Sequence, residues 1–357
     1  MSKKTDLRSL SRQELSEFVR DLGLERYREG QIAKWVWQKG VDSVGDMTDL
    51  PLAKREQLAA LAEIPPVTMV DKLVSGRGDA VKYLFSFDDG EIVESVLMRH
   101  NYGTSACVST QAGCRMGCRM CASGLSGLSR NLTAGEMYAQ VLGMQKDRGE
   151  RIGRVVIMGS GEPLDNYDNT LVFVKNITAQ YGLNIGERHI TLSTCGLVPQ
   201  IKDLAGEKLA ITLAVSLHGA NDTLRNKLMP INKKYPLGDL MEACRMYVAL
   251  TRRRITFEYA LIDGINDDSA LAAELGKLLS GILCHVNLIA VNPVPERGVV
   301  PPAPNRVAAF KQTLEKHGVN VSTRRKLGGD ISAACGQLRR QAFATVRDSL
   351  VRQSQTP

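Results

Sequence analysis

The chain has 357 residues, of which 43% are hydrophobic and 24% charged, and its formal net charge is +8. This composition is ordinary for a globular protein; the first residues lack the apolar core of a signal peptide, and no apolar run approaches the roughly 20 residues that a membrane helix needs. We therefore expect a cytoplasmic protein without membrane contact, in which clustered cysteines are reduced and serve a metal site or catalysis.

The first predicted elements are helices. Residues 11–23 and 28–40 each place apolar side chains at helical spacing and end in glycine. A Pro-Pro pair at residues 65–66 closes this part of the chain. We assign residues 1–64 to a small helical accessory domain.

Residues 65–100 are predicted to form a β-rich connecting extension. Apolar and polar residues alternate here, as expected for strands with one buried face. An Asp-Asp-Gly sequence at residues 88–90 separates two alternating runs. Such a turn sequence predicts a β-hairpin.

From residue 101 to residue 340, strand-like and helix-like segments alternate. One helix start is marked by Thr133 and Glu136, which have the spacing of a capping box. The candidate strands are residues 105–110, 154–158, 189–194, 209–217, 254–262, 285–291 and 319–324.

This alternation predicts the α/β class, with a parallel sheet and right-handed crossovers. About six units, with no G-x-G-x-x-G turn after the first strand, favour an open or partial barrel over a dinucleotide-binding fold. In such barrels the chemistry lies at the carboxyl ends of the strands.

Four of the eight cysteines lie close together just after the first of these strands begins. Cys114, Cys118 and Cys121 have the spacing C-x3-C-x2-C, and Cys107 stands seven residues upstream. A structural zinc site takes four ligands, usually in two pairs, whereas three thiolates on a four-iron cubane leave one iron open for another molecule. The spacing favours an iron–sulfur cluster; zinc and chance clustering stay open as alternatives.

The C-terminal part of the chain is basic. Residues 305–357 hold ten Lys/Arg and three Asp/Glu, whereas residues 1–60 hold eleven and ten. A basic surface is typical of proteins that bind a polyanion such as RNA, and it is equally compatible with an ordinary solvated surface.

The cysteine loop resembles that of the radical S-adenosylmethionine (SAM) superfamily. A Gly-Glu-Pro turn at residues 161–163, directly after the second strand, resembles the superfamily turn that meets the SAM amino group. The resemblance implies a [4Fe-4S] cluster on Cys114, Cys118 and Cys121. Its open iron would chelate SAM, and an electron from the cluster would cleave SAM to a 5′-deoxyadenosyl radical.

Longer phrases are similar to the RlmN family, which methylates C2 of an adenosine in 23S rRNA and in certain tRNAs. They include CVSTQAGC, GEPLDN, TLSTCGLVP, VSLHGANDTLRNKLMPINKKYPL, VNLIAVNPVPERG and DISAACGQLRR. The resemblance implies a partial (β/α)6 barrel of the radical SAM type with a small helical N-terminal accessory domain. From the charge distribution we add the hypothesis that this domain, residues 1–64, binds RNA together with a basic tail at residues 341–357.

The same resemblance implies catalytic roles for three residues. SAM would first methylate Cys335, and a second SAM would supply the radical that abstracts hydrogen from that methyl group. The methylene radical would add to adenine C2 and form a protein–RNA thioether. Cys107 would then form a disulfide with Cys335 and release the methylated base, and Glu94 would be the proton acceptor.

SAM contacts are also implied by the resemblance, as is an electron donor of the flavodoxin or ferredoxin type; we expect a monomer. The implied SAM-binding residues are Gly161, Glu162, Ser193, Ser216, Leu217, His218 and Asn292.

Three positions depart from the family pattern. Ser160 stands where Met is common, Cys195 where a residue without a thiol is common, and Leu327 where a polar residue is usual. The sequence assigns no role to Cys195. Cys244 and Cys284 lie in helix-like segments and are expected in the core.

Two other functions stay open at this point. The related Cfr family methylates C8 of the same rRNA adenosine. A protein that binds RNA without catalysis and carries a cluster or a zinc ion would also explain the cysteines and the basic tail, but not the Gly-Glu-Pro turn, Glu94 and Cys335 together.

Overall fold

The computed structural model describes residues 4–338. The predicted basic tail at residues 341–357 lies outside this range. No helix in the described part of the chain is long and apolar enough to cross a membrane.

The N-terminal residues form helices, as predicted. Ser11 caps the first helix: its hydroxyl accepts from the Glu14 backbone N–H, and the Glu14 carboxylate accepts from the Ser11 N–H. The second helix continues into a wider π-helical turn, Lys34–Lys39, which ends at Gly40 with φ of 62°. The elements are β1 (Thr5–Asp6), α1 (Arg12–Asp21), α2 (Arg28–Ala33), α3 (Leu52–Leu61) and β2 (Ala62–Glu63).

The predicted extension is an antiparallel ribbon of three strands, β3 (Thr68–Val74), β4 (Ala80–Ser86) and β5 (Ile92–His100). The hairpin predicted at Asp-Asp-Gly joins β4 to β5. Gly90 has φ of 80° there, a conformation that favours glycine.

The rest of the chain alternates strands with helices. Its elements are β6 (Gly103–Cys107), β7 (Gln111–Gly113), β8 (Leu128–Asn131), α4 (Ala134–Arg148), β9 (Arg154–Ile157), α5 (Tyr167–Thr178), β10 (Ile190–Thr194), α6 (Val198–Gly206), β11 (Thr212–Ser216), α7 (Asp222–Leu228), α8 (Leu237–Thr251), β12 (Ile255–Leu261), α9 (Ser269–Leu278), β13 (Cys284–Ala290), α10 (Pro304–Lys316) and β14 (Val321–Thr323). The capping box predicted for α4 is formed by Thr133 and Glu136.

One ten-stranded sheet contains most of these strands, in the order β14-β13-β12-β11-β10-β9-β6-β5-β4-β3. From β6 to β14 the neighbouring strands are parallel. Six strand–helix units followed by β14 give the predicted α/β fold. Because β14 and β3 are at opposite edges, the sheet is open.

The segment after β14 packs against the antiparallel ribbon and the cysteine loop. The Asp330 carboxylate accepts from Gly76 N–H at 2.8 Å, and Ala333 and Leu338 share an apolar cluster with Cys107. The Ser123 hydroxyl donates to Leu338 O at 2.9 Å. These contacts bring Cys335 to the sheet beside Cys107, although the two residues are far apart in sequence.

Trp37 joins the N-terminal helices to the barrel. Its side chain is fully buried, and its indole N–H donates to Arg8 O at 3.1 Å. The Tyr138 hydroxyl of α4 donates to Trp37 O at 2.8 Å, and the Tyr181 ring lies 5.3 Å away between centroids.

We predict that Trp37→Ala lowers the free energy of unfolding by about 3–5 kcal/mol, because it removes a large buried side chain and leaves a cavity. Urea unfolding followed by circular dichroism measures the change. Trp35→Ala, two residues away and only half-buried, is the matched control and should cost clearly less. Equal losses in the two variants would contradict the role given to Trp37.

Candidate active site

A cavity at the carboxyl ends of the parallel strands is lined by residues from the cysteine loop, the Gly-Glu-Pro turn and the strand ends. We call it the cysteine cavity. Strands from β9 to β13 all contribute to its wall, which requires the sheet to curve around it. The sequence-predicted residues that line it are Cys114, Cys118, Cys121, Gly161, Glu162, Ser193, Ser216, His218, Asn292 and Cys335.

The cysteine loop is fixed by backbone hydrogen bonds. Cys114 N–H donates to Gly127 O at 2.9 Å, and Cys121 N–H donates to Cys118 O at 3.2 Å. Between them, Arg119 N–H donates to Leu228 O at the end of α7, at 3.0 Å. The loop therefore presents its three thiols to one cavity from a fixed backbone.

The chemistry of these thiols fits the binding of cationic iron. Burial raises the pKa of Cys114 to about 12 and also raises the pKa of Cys118, with the neighbouring thiols adding to the rise at Cys118. A bound metal deprotonates coordinating thiols because its charge compensates theirs. The described residues contain no group of three His, Cys, Asp or Glu arranged around a single metal ion; a cubane makes a different demand, because each thiolate binds its own iron.

The turn after β9 accepts no side chain at Gly161. Its φ is 108°, and a Cβ there would lie 2.7 Å from both Gln111 Cβ and Thr110 Oγ1. Glu162 is 3% exposed. Its carboxylate accepts from Leu164 N–H at 3.1 Å and Cys195 N–H at 2.7 Å. These bonds hold the carboxylate at the cavity wall, where it is suited to an ammonium ligand.

His218 lies in the left-handed region, with φ of 54°, and its Nδ1 accepts from Ala260 N–H at 3.0 Å. Burial, assisted by the charge of Arg225, lowers the pKa of His218 to about 3. The ring is therefore neutral, with its proton on Nε2. Asn292 donates from its amide to Cys335 O at 3.0 Å.

Leu217 does not line the cavity. Its side chain is fully buried in the core, its N–H donates to Glu258 O, and its carbonyl accepts from Arg225 Nε. The predicted contact between Leu217 and SAM stays a prediction.

A second cavity adjoins the first and contains both predicted catalytic cysteines. Cys335 lines both cavities, whereas Cys107 lines only the second one. We call it the basic cavity, because its wall holds one carboxylate, Asp79, against six cationic side chains. These are Arg99, Arg154, Arg188, Arg324, Arg325 and Lys326.

Arg324 lines both cavities and lies beside the two cysteines. Burial raises the pKa of Cys107 to about 12, the Cys335 thiol adds to the rise, and the charge of Arg324 opposes it. Arg324 Nη1 also lies 3.9 Å from a Glu258 carboxylate oxygen. Arg324 opens a basic run at residues 324–326, whereas Glu258 carried no sequence signal because it stands in an apolar strand.

Glu94 lies on β5 and lines neither cavity in the described structure. Val96, two residues along, pairs with Cys107, so Glu94 shares the sheet face of Cys107. Its carboxylate forms a nearly buried salt bridge with Lys82 at 3.1 Å. Sequence reasoning missed Lys82, which lies on the neighbouring strand β4 and forms this ion pair with Glu94.

The remaining cysteines separate into two groups. Cys195 lines the cysteine cavity, and burial followed by the Glu162 charge raises its pKa. Cys244 and Cys284 are buried in the core, as expected. Cys244 lies on a helix, as predicted, but Cys284 is the first residue of strand β13, so the helix expected for it is wrong. All eight cysteines, which lie within the described range, are free thiols.

Comparison with known proteins decides the family. A sequence model of the Radical SAM superfamily matches residues 108–275, and one of the ribosomal RNA large subunit methyltransferase N-terminal domain matches residues 5–64. The probable dual-specificity RNA methyltransferase RlmN of Pelotomaculum thermopropionicum is 60% identical over 95% of this chain and 92% of its own length. The chain belongs to the RlmN family.

Other relatives agree. The probable RlmN of Desulforamulus reducens is 56% identical over 95% of this chain and 97% of its own length. A crystal structure of a radical SAM methyltransferase from Sphaerobacter thermophilus has a TM-score of 0.89 and 45% identity, covering 94% of this chain and all of that one. This RlmN-family protein is thus a SAM-dependent RNA methyltransferase with the radical SAM fold, not an RNA-binding protein without catalysis.

We predict that Cys114→Ala, Cys118→Ala and Cys121→Ala each abolish cluster binding, because each removes a thiolate ligand. Iron and sulfide content after anaerobic reconstitution, with the absorption spectrum, measures the loss. Cys195→Ser is the matched control, since it changes a thiol of the same cavity outside the motif, and should keep its iron. Full iron in Cys118→Ala would contradict the ligand set.

Proposed function

We propose that this RlmN-family enzyme methylates C2 of an adenosine in 23S rRNA and in tRNA, through an S-methylcysteine and a covalent protein–RNA intermediate. The observation that carries the proposal is the position of Cys335 on the wall between the two cavities, with Cys107 in the basic cavity beyond it. A methyl group on the Cys335 sulfur would face SAM and the cluster in the cysteine cavity on one side, and an RNA base in the basic cavity on the other.

The target carbon requires a radical route. C2 of adenine is flanked by two electronegative nitrogens and is not nucleophilic, so that polar methyl transfer from SAM to it would be very slow. When bound at Cys114, Cys118 and Cys121, the cluster together with SAM supplies an organic radical that removes a hydrogen atom from a methyl group. The protein supplies that methyl group on a sulfur.

Cys335 acts first as a nucleophile. Its thiolate attacks the methyl carbon of SAM, an S–CH3 bond forms, and S-adenosylhomocysteine leaves. Arg324, beside both cysteines, offsets the thiolate charge. After loss of one hydrogen atom, the methylene carbon on Cys335 adds to C2 of the base and joins protein to RNA.

Release of the product uses Glu94 and Cys107. The adduct loses one electron to the electron carrier and the C2 proton to Glu94, which restores the aromatic ring. The Cys107 thiolate then attacks the Cys335 sulfur: an S–S bond forms, the bond from sulfur to the methylene carbon breaks, and the electron pair left on that carbon takes up a proton. A thiol reductant returns the disulfide to two thiols with two electrons.

Lys82 supports the role of Glu94. Its ammonium lies 3.1 Å from the Glu94 carboxylate and both side chains are nearly buried, so the ion pair fixes the position of the carboxylate. The face shared with Cys107 puts both groups on the side of the sheet where the base would be attached.

The basic cavity is where we place the RNA. SAM and the cluster occupy the cysteine cavity in this proposal, so the base must reach Cys335 from the other side. The six cationic side chains suit the phosphates that flank a target adenosine turned out of its stack.

The same proposal gives each part of the chain a role. We propose an RNA-binding helical domain at residues 1–64, a connecting extension at 65–100, a barrel at 101–340 and a basic tail at 341–357 that adds to RNA binding. The enzyme would act as a cytoplasmic monomer that receives electrons from a flavodoxin or ferredoxin.

Cys107→Ala is predicted to keep its iron and to accumulate a covalent protein–RNA adduct, because the thioether forms but nothing resolves it. A denaturing gel shows the adduct as a band that RNase removes. Cys107→Ala/Cys335→Ala should give no such band, since the attaching sulfur is absent. Normal turnover by Cys107→Ala, or an adduct without Cys335, would overturn the assignment.

The position of the methyl group separates the C2 enzyme from the C8 alternative. Nuclease digestion of methylated RNA, followed by chromatography against 2-methyladenosine and 8-methyladenosine standards, should give the 2-methyl product. An 8-methyl product would favour the Cfr reaction.

Binding of RNA in the basic cavity predicts a strong salt dependence. Arg154→Gln/Arg188→Gln should weaken RNA binding and reduce the slope of log K against log salt by about 0.7–0.9 for each phosphate that these side chains no longer neutralise. Lys277→Gln/Lys316→Gln removes the same charge from exposed helix positions outside the cavity and is the control. Equal slopes in the two double variants would place the RNA elsewhere.

A further inference from the structure

Arg225 on α7 is a fully buried cation whose direct partners are uncharged. Its side chain is 0% exposed. It donates to three backbone carbonyls, those of Leu217 at 3.1 Å, Cys195 at 2.7 Å and Ser216 at 3.2 Å. Its fourth acceptor is the Asn232 side-chain oxygen at 2.8 Å.

Such a charge needs compensation. Hydrogen bonds satisfy the N–H groups of a buried guanidinium, but its net charge stays unfavourable in a low-dielectric interior unless an anion is near. The carboxylate of Asp222 lies one hydrogen bond further away, where it accepts from Asn232 at 2.7 Å. Asp222 is exposed, so water screens its charge.

The position of Arg225 points to another anion. Two of its carbonyl acceptors belong to Cys195 and Ser216, whose residues line the cysteine cavity. The end of α7 holds the cysteine loop, through Arg119 N–H on Leu228 O, and Met229 lines the same cavity. The guanidinium therefore lies directly behind the cavity wall on the side of the cysteine loop.

We propose that Arg225 is the counter-charge of the iron–sulfur cluster and raises its reduction potential. The inference rests on the proposed cluster at Cys114, Cys118 and Cys121. A cubane with three thiolates carries one net negative charge when oxidised and two when reduced, so a fixed cation behind it stabilises the reduced form more. Charge and hydrogen bonding around a cluster are the means by which proteins set its potential.

The test compares variants that keep or remove the charge. Arg225→Lys keeps a cation but loses the planar set of donors; Arg225→Gln keeps amide donors without charge, and Arg225→Met fills the space without either. The protein is reconstituted anaerobically, its iron is measured, and the midpoint potential is obtained from a redox titration followed by electron paramagnetic resonance.

Arg225→Gln and Arg225→Met should lose at least about tenfold in the equilibrium constant for reduction, which is a shift of about 59 mV to more negative potential for a one-electron couple. Arg225→Lys should recover most of that shift. If the neutral variants fail to load iron while Arg225→Lys loads it, the need for a counter-charge is equally supported.

Two outcomes would overturn the proposal. One is an unchanged potential in a neutral variant that holds full iron. The other is the same defect, in iron or in potential, in Arg225→Lys as in the neutral variants, which would give Arg225 a structural role only. Failure of the wild-type protein to load a cluster would instead refute the proposed cofactor, so that the two proposals fail separately.

Discussion

The burial of several cysteine thiols close to one another is the constraint on which the rest of the site depends. Six thiols line the two adjoining cavities inside the sheet, and burial raises the pKa of four of them, Cys107, Cys114, Cys118 and Cys195. Nucleophilic attack and metal binding by cysteine both need the thiolate. The fold must therefore supply positive charge that stabilises these thiolates. Arg324 lies on the side of the catalytic cysteines, and Arg225 lies behind the cysteine loop. The iron of the cluster would supply the rest of the positive charge.

The open sheet makes the second cysteine available. A closed barrel would leave no place for residues 324–338, whereas here the segment packs on the ribbon strands and the cysteine loop through Asp330, Ala333 and Leu338. Cys335 is held by one direct bond, from Asn292 to its carbonyl. A short segment rather than a strand therefore carries the sulfur that must be methylated, attacked and released in turn.

Local patterns in the sequence predicted much of this structure. The Thr133–Glu136 capping box, the hairpin at Gly90 and the strand–helix alternation each depend on neighbouring residues, and all three are confirmed. The cysteine loop and the Gly161 turn were predicted at the carboxyl ends of strands and are found at one cavity.

Pairs formed across the sheet could not be predicted in this way. Glu94 with Lys82, and Arg324 with Glu258, join different strands, and nothing in the local sequence says which strands become neighbours or which faces meet. In the sequence, Arg225 is one charged residue among several in a short helix. Only the packing of α7 under the cysteine loop shows that it is buried.

The passage of the methyl carbon through Cys335 is the central claim of this account. It is tested by loading Cys335 with a trideuterated methyl group, removing free SAM, and adding unlabelled SAM, reductant and RNA for a single turnover. The methyl group of the product should carry two deuterium atoms and one hydrogen, because one deuterium is abstracted and a proton is added at release. A product with three hydrogens would mean that the methyl group bypasses Cys335, and one with three deuterium atoms would mean polar transfer without a radical step.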